Sequence, residues 1–308
     1  MEVSEIEKIF EKISDTKKWT VSVLQITNSK REGISYLARE IVLSNNDIEE
    51  QIGDIRNSQV GTKGIIKKYH SVEEYDGSAS SDVIYHLSSS NSLIKDEYGL
   101  LVNAIANADH EMDPNLMKLR ACVYRGSINL SGDDKMVYMI SLQNPITTLK
   151  HKYLCNKGRY KKITENVLQL RPQIDVLFVD NDIYFMNMVG ENLFNMERSY
   201  KKLCIEYTAV IEESNIIIGI DMFKQTAQSG ANPRRFVSYD HKRLEKLQSN
   251  KRTREKIAKQ FNIPVTEGNL DVSLAENSEK LVKLLCKKGM TDPFEDSAVE
   301  VPSAKKWV

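Results

Sequence analysis

The sequence predicts an α+β fold, with a mixed or antiparallel sheet packed by helices and a helix-rich C-terminal part. Three patterns carry this expectation. The first is a pair of near-continuous apolar runs, Ile174–Val179 and Ile183–Met188, separated by Asp180-Asn181-Asp182. Asp and Asn tolerate tight-turn backbone, so this reads as a hairpin, and its two-sided apolarity marks strands covered on both faces. The second is a stripe of Leu193, Met196, Tyr200, Leu203, Tyr207 and Val210, whose 3–4 spacing belongs to a long amphipathic helix. The third is a helical pattern from Asp221 onward, broken at Pro233 and Pro264.

The N-terminal elements follow the same logic. Ile6, Ile9, Phe10 and Ile13 fall at i, i+3, i+4 and i+7, one face of a helix that Ser4 is placed to cap. Trp19, Val21 and Val23 alternate with Thr20 and Ser22, as in a half-buried strand. Residues Gln51–Ser92 mix turn residues with short apolar pieces. Seven of the fifteen residues from Ser78 to Ser92 are serine, so a loop around a short strand at Val83–Leu87 is expected. Leu93, Ile94, Tyr98, Leu101 and Ile105 form a helical face. The polar run NADHEMDPN at Asn107–Asn115 then sets a domain boundary, giving an N-terminal α/β domain over 1–112 and a second domain over 113–308. Leu119–Tyr124 and Met136–Leu142 read as strands flanking a turn-rich GSINLSGDD, and Leu281, Leu284 and Leu285 mark a last helix before Gly289.

Composition narrows the function classes. Apolar residues make up 41% of 308 and charged residues 28%, the proportions of a globular chain. Lys+Arg and Asp+Glu both number 43, so the distribution of charge, not the net charge, must point to partners. Cys122, Cys155, Cys204 and Cys286 are far apart and make no CxxC pair, so buried free thiols in a reducing cytoplasm are expected. The chain opens on an acidic helical pattern rather than a signal peptide, and no apolar run approaches the roughly 18–20 residues of a membrane span.

No GxxxxGK[ST], HExxH or GxSxG motif is present, and His70, His86, His110, His151 and His241 make no ligand pair, so no cofactor or metal is expected. Gly61-Thr62-Lys63-Gly64 lacks the strand–loop–helix setting of a phosphate loop and reads as a turn. A metal-dependent nuclease would draw on Asp175, Asp180 and Asp182 at the hairpin. However, no Glu-x-Lys follows on the second strand, and the turn alone accounts for Asp180-Asn181-Asp182.

Basic residues are the strongest signal. Between Lys224 and Lys259 eleven residues are Lys or Arg, opposed only by Asp240, Glu245 and Glu255. Leu244 and Leu247 share one helical face, and Lys242 and Lys246 share another. After a break near Asn250, Thr253 is placed to cap a second helix with Ile257 and Phe261 inward and Arg252, Lys256 and Lys259 outward. The expected phosphate-binding set is Arg234, Arg235, Lys242, Arg243, Lys246, Arg252, Lys256 and Lys259. A second run at Lys150–Lys162 holds no acid and contributes Lys157, Arg159, Lys161 and Lys162, with Tyr153 and Tyr160 among them. Such runs complement a nucleic-acid backbone, or lie as solvated faces balanced by acids elsewhere. Neither carries a base-reading motif, so little sequence specificity is expected.

The order of the second half is a strand pair, IDVLFVDNDIYFMN, a helix entered through ENLFNMERSY, a Lys/Arg-rich helical segment, LLCKKGMTDPF and VEVPSAKKW. Over roughly Asp113–Val308 this resembles the KwaB family, the soluble subunits of the bacterial Kiwa anti-phage defence system. The resemblance implies a DNA-binding effector that works with KwaA, a small multi-span membrane protein that senses phage attack. The effector would restrain phage replication and late transcription. It would sit in the cytoplasm, peripheral at the inner membrane through that partner. The resemblance transfers no catalytic motif. A homo-oligomer, most simply a dimer, is expected; the Leu193–Val210 stripe is expected to pack on the sheet, with a self-association seam as its alternative reading, and a protein-only adaptor is the remaining functional alternative.

Overall fold

A computed structural model describes residues 3–13, 15–16, 18–29, 33–60, 65, 67–75, 82–109, 119–130, 132–143, 153–156, 158–162, 170–286, 291–292 and 297–298. The fold is α+β, and the chain divides into two compact units: 1–69 with 81–195, and 70–80 with 196–308. The 112/113 boundary expected from sequence lies outside the described residues. The helix before it and the strand after it both belong to the first unit.

In chain order the first unit contains α1 (Val3–Ile13), β1 (Thr20–Ser29), β2 (Gly33–Ile41), α2 (Asn45–Val60), the first half of β3 (Lys68–Ser71), β4 (Val83–Ser88) and α3 (Lys95–Ala106). It continues with β5 (Leu119–Leu130), β6 (Asp133–Leu142), β7 (Tyr153–Asn156), β8 (Arg159–Lys162), β9 (Val176–Val179) and β10 (Asp182–Phe185). Eight strands form one sheet in the order β2-β1-β5-β6-β9-β10-β4-β3. The pairings from β2 through to β4 are antiparallel. The β9–β10 hairpin pairs Val179 with Asp182 across Asp180-Asn181, and Asp180 takes φ 52°, the left-handed conformation an aspartate accepts at modest cost.

This hairpin sits inside the sheet and is buried on both sides, which explains its unbroken apolar sequence. Leu177 and Val179 belong to a cluster with Ile6, Ile9, Phe10 and Ile13 of α1 and Ile48, Ile52 and Ile55 of α2. Phe178 points the other way. Its ring lies 5.4 Å from Tyr98 of α3, 6.0 Å from Tyr138 and 6.0 Å from Phe194. Each apolar side chain buried on α1 contributes about 1.5–3 kcal/mol, enough to hold an 11-residue helix that would be marginal alone.

Several sequence expectations are revised. Ser4 lies within α1 rather than capping it. The Gln51–Ser92 stretch begins inside a 16-residue helix, α2, whose three inward isoleucines are widely spaced in a polar sequence. β5 and β6 run through most of GSINLSGDD and pair from Ala121↔Leu142 to Leu130↔Asp133. Ile128 is buried between exposed Ser127 and Asn129, the alternation of a strand and not of a turn.

The second unit contains α4 (Met196–Glu213), β11 (Ile217–Ile218), α5 (Ile220–Ala227), α6 (Asn232–Arg235), α7 (His241–Ser249), α8 (Lys251–Gln260), β12 (Val265–Thr266), β13 (Asn269–Asp271) and α9 (Ala275–Leu285). The short pair β14 (Thr291–Asp292) and β15 (Ser297–Ala298) follows. β13 lies between β11 and β12, parallel to the first and antiparallel to the second. The core gathers Cys204 and Ile211 of α4, Phe223, Phe236, Leu244, Leu247, Ile257 and the leucines of α9. Of the α4 stripe, Tyr207 and Val210 pack against that core, and Met196 and Tyr200 are buried. Cys122, Cys204 and Cys286 are buried, and burial pushes the Cys122 and Cys204 thiols up to about 12.

Gly126 on β5 gives a direct test of the first unit's packing. A Cβ there would lie 2.7 Å from two atoms of the Trp19 indole. Gly126→Ala is expected to lower stability by about 1–3 kcal/mol, read as a reduced urea midpoint by far-UV circular dichroism. An unchanged midpoint would show that the indole moves aside freely.

Candidate nucleic-acid interface

The basic surface is built on two short helices joined through one residue. Asp240 caps α7 by accepting from the Lys242 N–H at 3.0 Å. α7 buries Leu244 and Leu247 and leaves Lys242 and Lys246 exposed one turn apart. Asn250 ends α7 and also starts α8, its side chain accepting from the Thr253 N–H at 3.2 Å and its carbonyl from the Arg254 N–H at 3.0 Å. The cap is thus Asn250 and not Thr253. α8 buries Ile257 and Ala258 and exposes Arg252, Lys256 and Lys259. At i, i+4 and i+7 these three form one stripe spanning about 10 Å along the helix.

The electrostatics of the two helices are mixed: the Asp240 cap of α7 and the last-turn cations Lys246 and Lys259 suit the helix dipole, whereas the first-turn cations do not. A helix N-terminus carries a partial positive charge, so an acid there helps and a cation costs about 0.3–1 kcal/mol. Neither α7 nor α8 has an acid in its first turn. Lys242 and Arg243 stand at the start of one, and Lys251 and Arg252 at the start of the other. Among the described residues no salt bridge holds the head groups of Lys242, Arg252, Lys256 or Lys259. Glu245 lies 3.5 Å from His241, and Glu255 lies 3.9 Å from Lys251. Lys242 and Lys246 on α7 and the Arg252–Lys256–Lys259 stripe on α8 therefore outnumber the exposed Glu245 and Glu255 and present a net positive surface to solvent, an arrangement suited to a polyanion.

Three of the eight arginines and lysines expected here are turned toward the fold. Arg243 is 5% exposed and donates from Nη1 to the Leu284 carbonyl at 2.6 Å, with Nε 3.9 Å from Asp240. Arg235 donates to the Asn232 side chain, and its Nη1 lies 3.5 Å from Glu279. Hydrogen bonding from Lys283 holds that glutamate below the ordinary carboxylate range. Arg234 is half-buried, its guanidinium 5.8 Å above the Tyr200 ring, a cation–π geometry. Lys242, Lys246, Arg252, Lys256 and Lys259 are exposed.

Sequence reasoning counts Arg254 only as another cation. The structure gives it a different role, in which Nε donates to the Gly268 carbonyl and Nη1 to the Leu247 carbonyl, both at 2.8 Å. The available signal is its position three and four residues before Ile257 and Ala258, on the inward face of α8.

The second basic run forms the β7–β8 hairpin of the first unit, with Cys155 paired to Tyr160 and Gly158 at φ 76° in the turn. Arg159 is exposed, Lys161 and Lys162 lie on β8, and Lys157 lies outside the described residues.

The three aspartates weighed for a nuclease go to separate partners. Asp175 is 7% exposed, accepts from the Leu142 N–H at 2.7 Å and lies 3.2 Å from Arg171; burial nonetheless raises its pKa. Asp180 pairs with Lys135 at 3.0 Å, and Asp182 with His86 at 2.7 Å. Among the described residues no group of three or more His, Cys, Asp or Glu is placed to hold a metal ion. No described helix is long and apolar enough to cross a membrane.

A family model described as Kiwa protein KwaB-like matches residues 128–291, more than half of the chain and a span that holds both basic runs. No curated protein and no solved structure matches the chain.

The contrast between buried and exposed cations is testable in one pair of substitutions. Arg243→Ala removes a charge-assisted donor from a buried carbonyl and is expected to cost about 2–3 kcal/mol in urea unfolding. Lys242→Ala, its exposed neighbour, is expected to stay within about 0.5 kcal/mol of wild type. Equal effects would mean that Arg243 is not anchored as described.

Proposed function

Because the chain belongs to the KwaB-like family of Kiwa proteins, we propose that it is a Kiwa anti-phage defence effector that binds DNA through α7 and α8 and acts beside a KwaA-type membrane partner. The observation that carries the reading is the placement of Lys242, Lys246, Arg252, Lys256 and Lys259: all exposed on two successive short helices, with Lys242 and Arg252 in first turns that hold no acid. A duplex carries one charge per ~1.7 Å of axis, so a stripe of about 10 Å meets several phosphates at once. Arg159, Lys161 and Lys162 on β8, with Lys157, would supply auxiliary phosphate contacts. Contacts of this kind set position on the backbone and read no bases, so binding would be largely independent of sequence. Holding DNA near the membrane partner would restrain replication and transcription without cleavage by this chain.

The same cationic face would also suit an acidic protein surface, in which case the chain is an adaptor and has no DNA affinity at physiological salt. Fluorescence anisotropy of a labelled duplex across a salt series separates the two. With about six phosphates contacted, log K should fall against log salt with a slope near −5. Lys242→Glu/Lys246→Glu/Arg252→Glu should bind weakly and with a shallower slope. Wild type that fails to bind even at low salt would leave the adaptor reading in place of the DNA one.

A further inference from the structure

We infer that Arg254 is the positioning residue of this interface: a clasp that locks α7 and α8 at one fixed angle, so that their two cationic rows act as a single phosphate-binding surface. The inference rests on the DNA-binding reading and adds to it a residue that touches no phosphate. Its basis is the pair of hydrogen bonds that Arg254 makes in two directions. Leu247 is in the last turn of α7, where carbonyls lack a partner within the helix. Gly268 is in the tight β12–β13 turn, where Glu267 and Gly268 both take positive φ. One guanidinium therefore ties the end of α7, the first turns of α8 and a strand turn together, with both bonds at 2.8 Å.

The joint needs such a clasp. Asn250 alone separates the two helices and adopts an extended backbone, φ −139° and ψ 106°. Its cap hydrogen bond fixes where α8 begins but not the angle between the axes. The helices have 9 and 10 residues, too few to be stable alone. The planar guanidinium reaches the two carbonyls from two different nitrogens held in a fixed geometry; a lysine has three donors, but all on one atom at the end of a flexible stem.

This gives Arg254→Lys a diagnostic value, since it keeps the charge and loses the fork. The experiment compares wild type, Arg254→Lys and Arg254→Gln, each with and without Lys242→Gln/Lys246→Gln. The full chain is titrated into a labelled duplex at low salt, and backbone amide exchange is measured over residues 248–258. If Arg254 is a clasp, Lys and Gln weaken binding alike, by roughly tenfold, because the rows must be ordered on binding. The loss from removing the α7 row is then at least about threefold smaller in the Arg254→Gln background than in wild type, the coupling expected of groups that act as a unit. Amide exchange at 248–258 speeds up in both Arg254 variants while helix content holds.

Arg254→Lys that binds like wild type, with Arg254→Gln weak, would make Arg254 a direct phosphate contact and overturn the inference. Strictly multiplicative losses would also overturn it, because a merely structural role lowers binding without coupling the rows. If wild type does not bind duplex at all, the DNA reading fails, and the exchange data judge the clasp separately: unchanged exchange at 248–258 in Arg254→Lys means it holds nothing.

Discussion

The basic surface depends on a small apolar contact. Leu244 and Leu247 from α7, with Ile257 and Ala258 from α8, enter the core of the second unit beside Phe223, Phe236 and the leucines of α9. Helices of 9 and 10 residues nucleate poorly, and cations in the first turn of each add a penalty of a few tenths to one kcal/mol apiece. Burying each large apolar side chain contributes about 1.5–3 kcal/mol, so a few anchors outweigh the local electrostatics. The helices exist because of their inner face, and that leaves the outer face to carry cations even in first turns, where the dipole disfavours them, as well as in last turns, where it does not.

Within one charge run, residues of the same type therefore have two kinds of role. Lys242, Lys246, Arg252, Lys256 and Lys259 extend into solvent. Arg243 and Arg254 instead return to backbone carbonyls at helix ends and in a turn, Arg243 to Leu284 and Arg254 to Leu247 and Gly268. Arginine suits this second role because its charge is permanent and its donors are fixed in a plane. A terminal carbonyl already carries the negative end of the helix dipole, so the same charge that attracts phosphate outside stabilises a helix end inside.

What the sequence reveals, and what it hides, follows from how strongly burial constrains each segment. The β9–β10 hairpin is readable because burial on both faces forces an unbroken apolar run, and Asp180-Asn181 supplies a turn with few alternatives. The α4 stripe is readable for a similar reason, although its packing partner is not: the pattern points to the sheet, whereas Tyr207 and Val210 lie against the core of their own unit. α2 escapes the sequence reading because Ile48, Ile52 and Ile55 are its only buried residues and the rest reads as polar loop. The extension of β5 past Tyr124 escapes it because Gly126, Ser127 and Asn129 are turn-forming types, and only the burial of Ile128 fixes the strand register. In the basic segment the sequence locates the two helices but not the inward turn of Arg235 and Arg243, because both bond to groups distant in sequence or in a neighbouring helix.

Charge clustering on a neutral chain also sets the range over which this surface acts. Lys+Arg and Asp+Glu balance at 43 each, so the field of the whole molecule largely cancels at a distance. At physiological ionic strength the screening length is about 8 Å, shorter than the roughly 10 Å stripe from Arg252 to Lys259. The stripe therefore gains most of its attraction at contact and steers little from afar, unlike a strongly basic protein that scans nucleic acid by long-range charge. A surface of that kind works best where the polyanion is already delivered at high local concentration. A membrane partner of the kind proposed would meet that condition if it held the polyanion beside this chain, which is how a neutral chain can use a short basic surface.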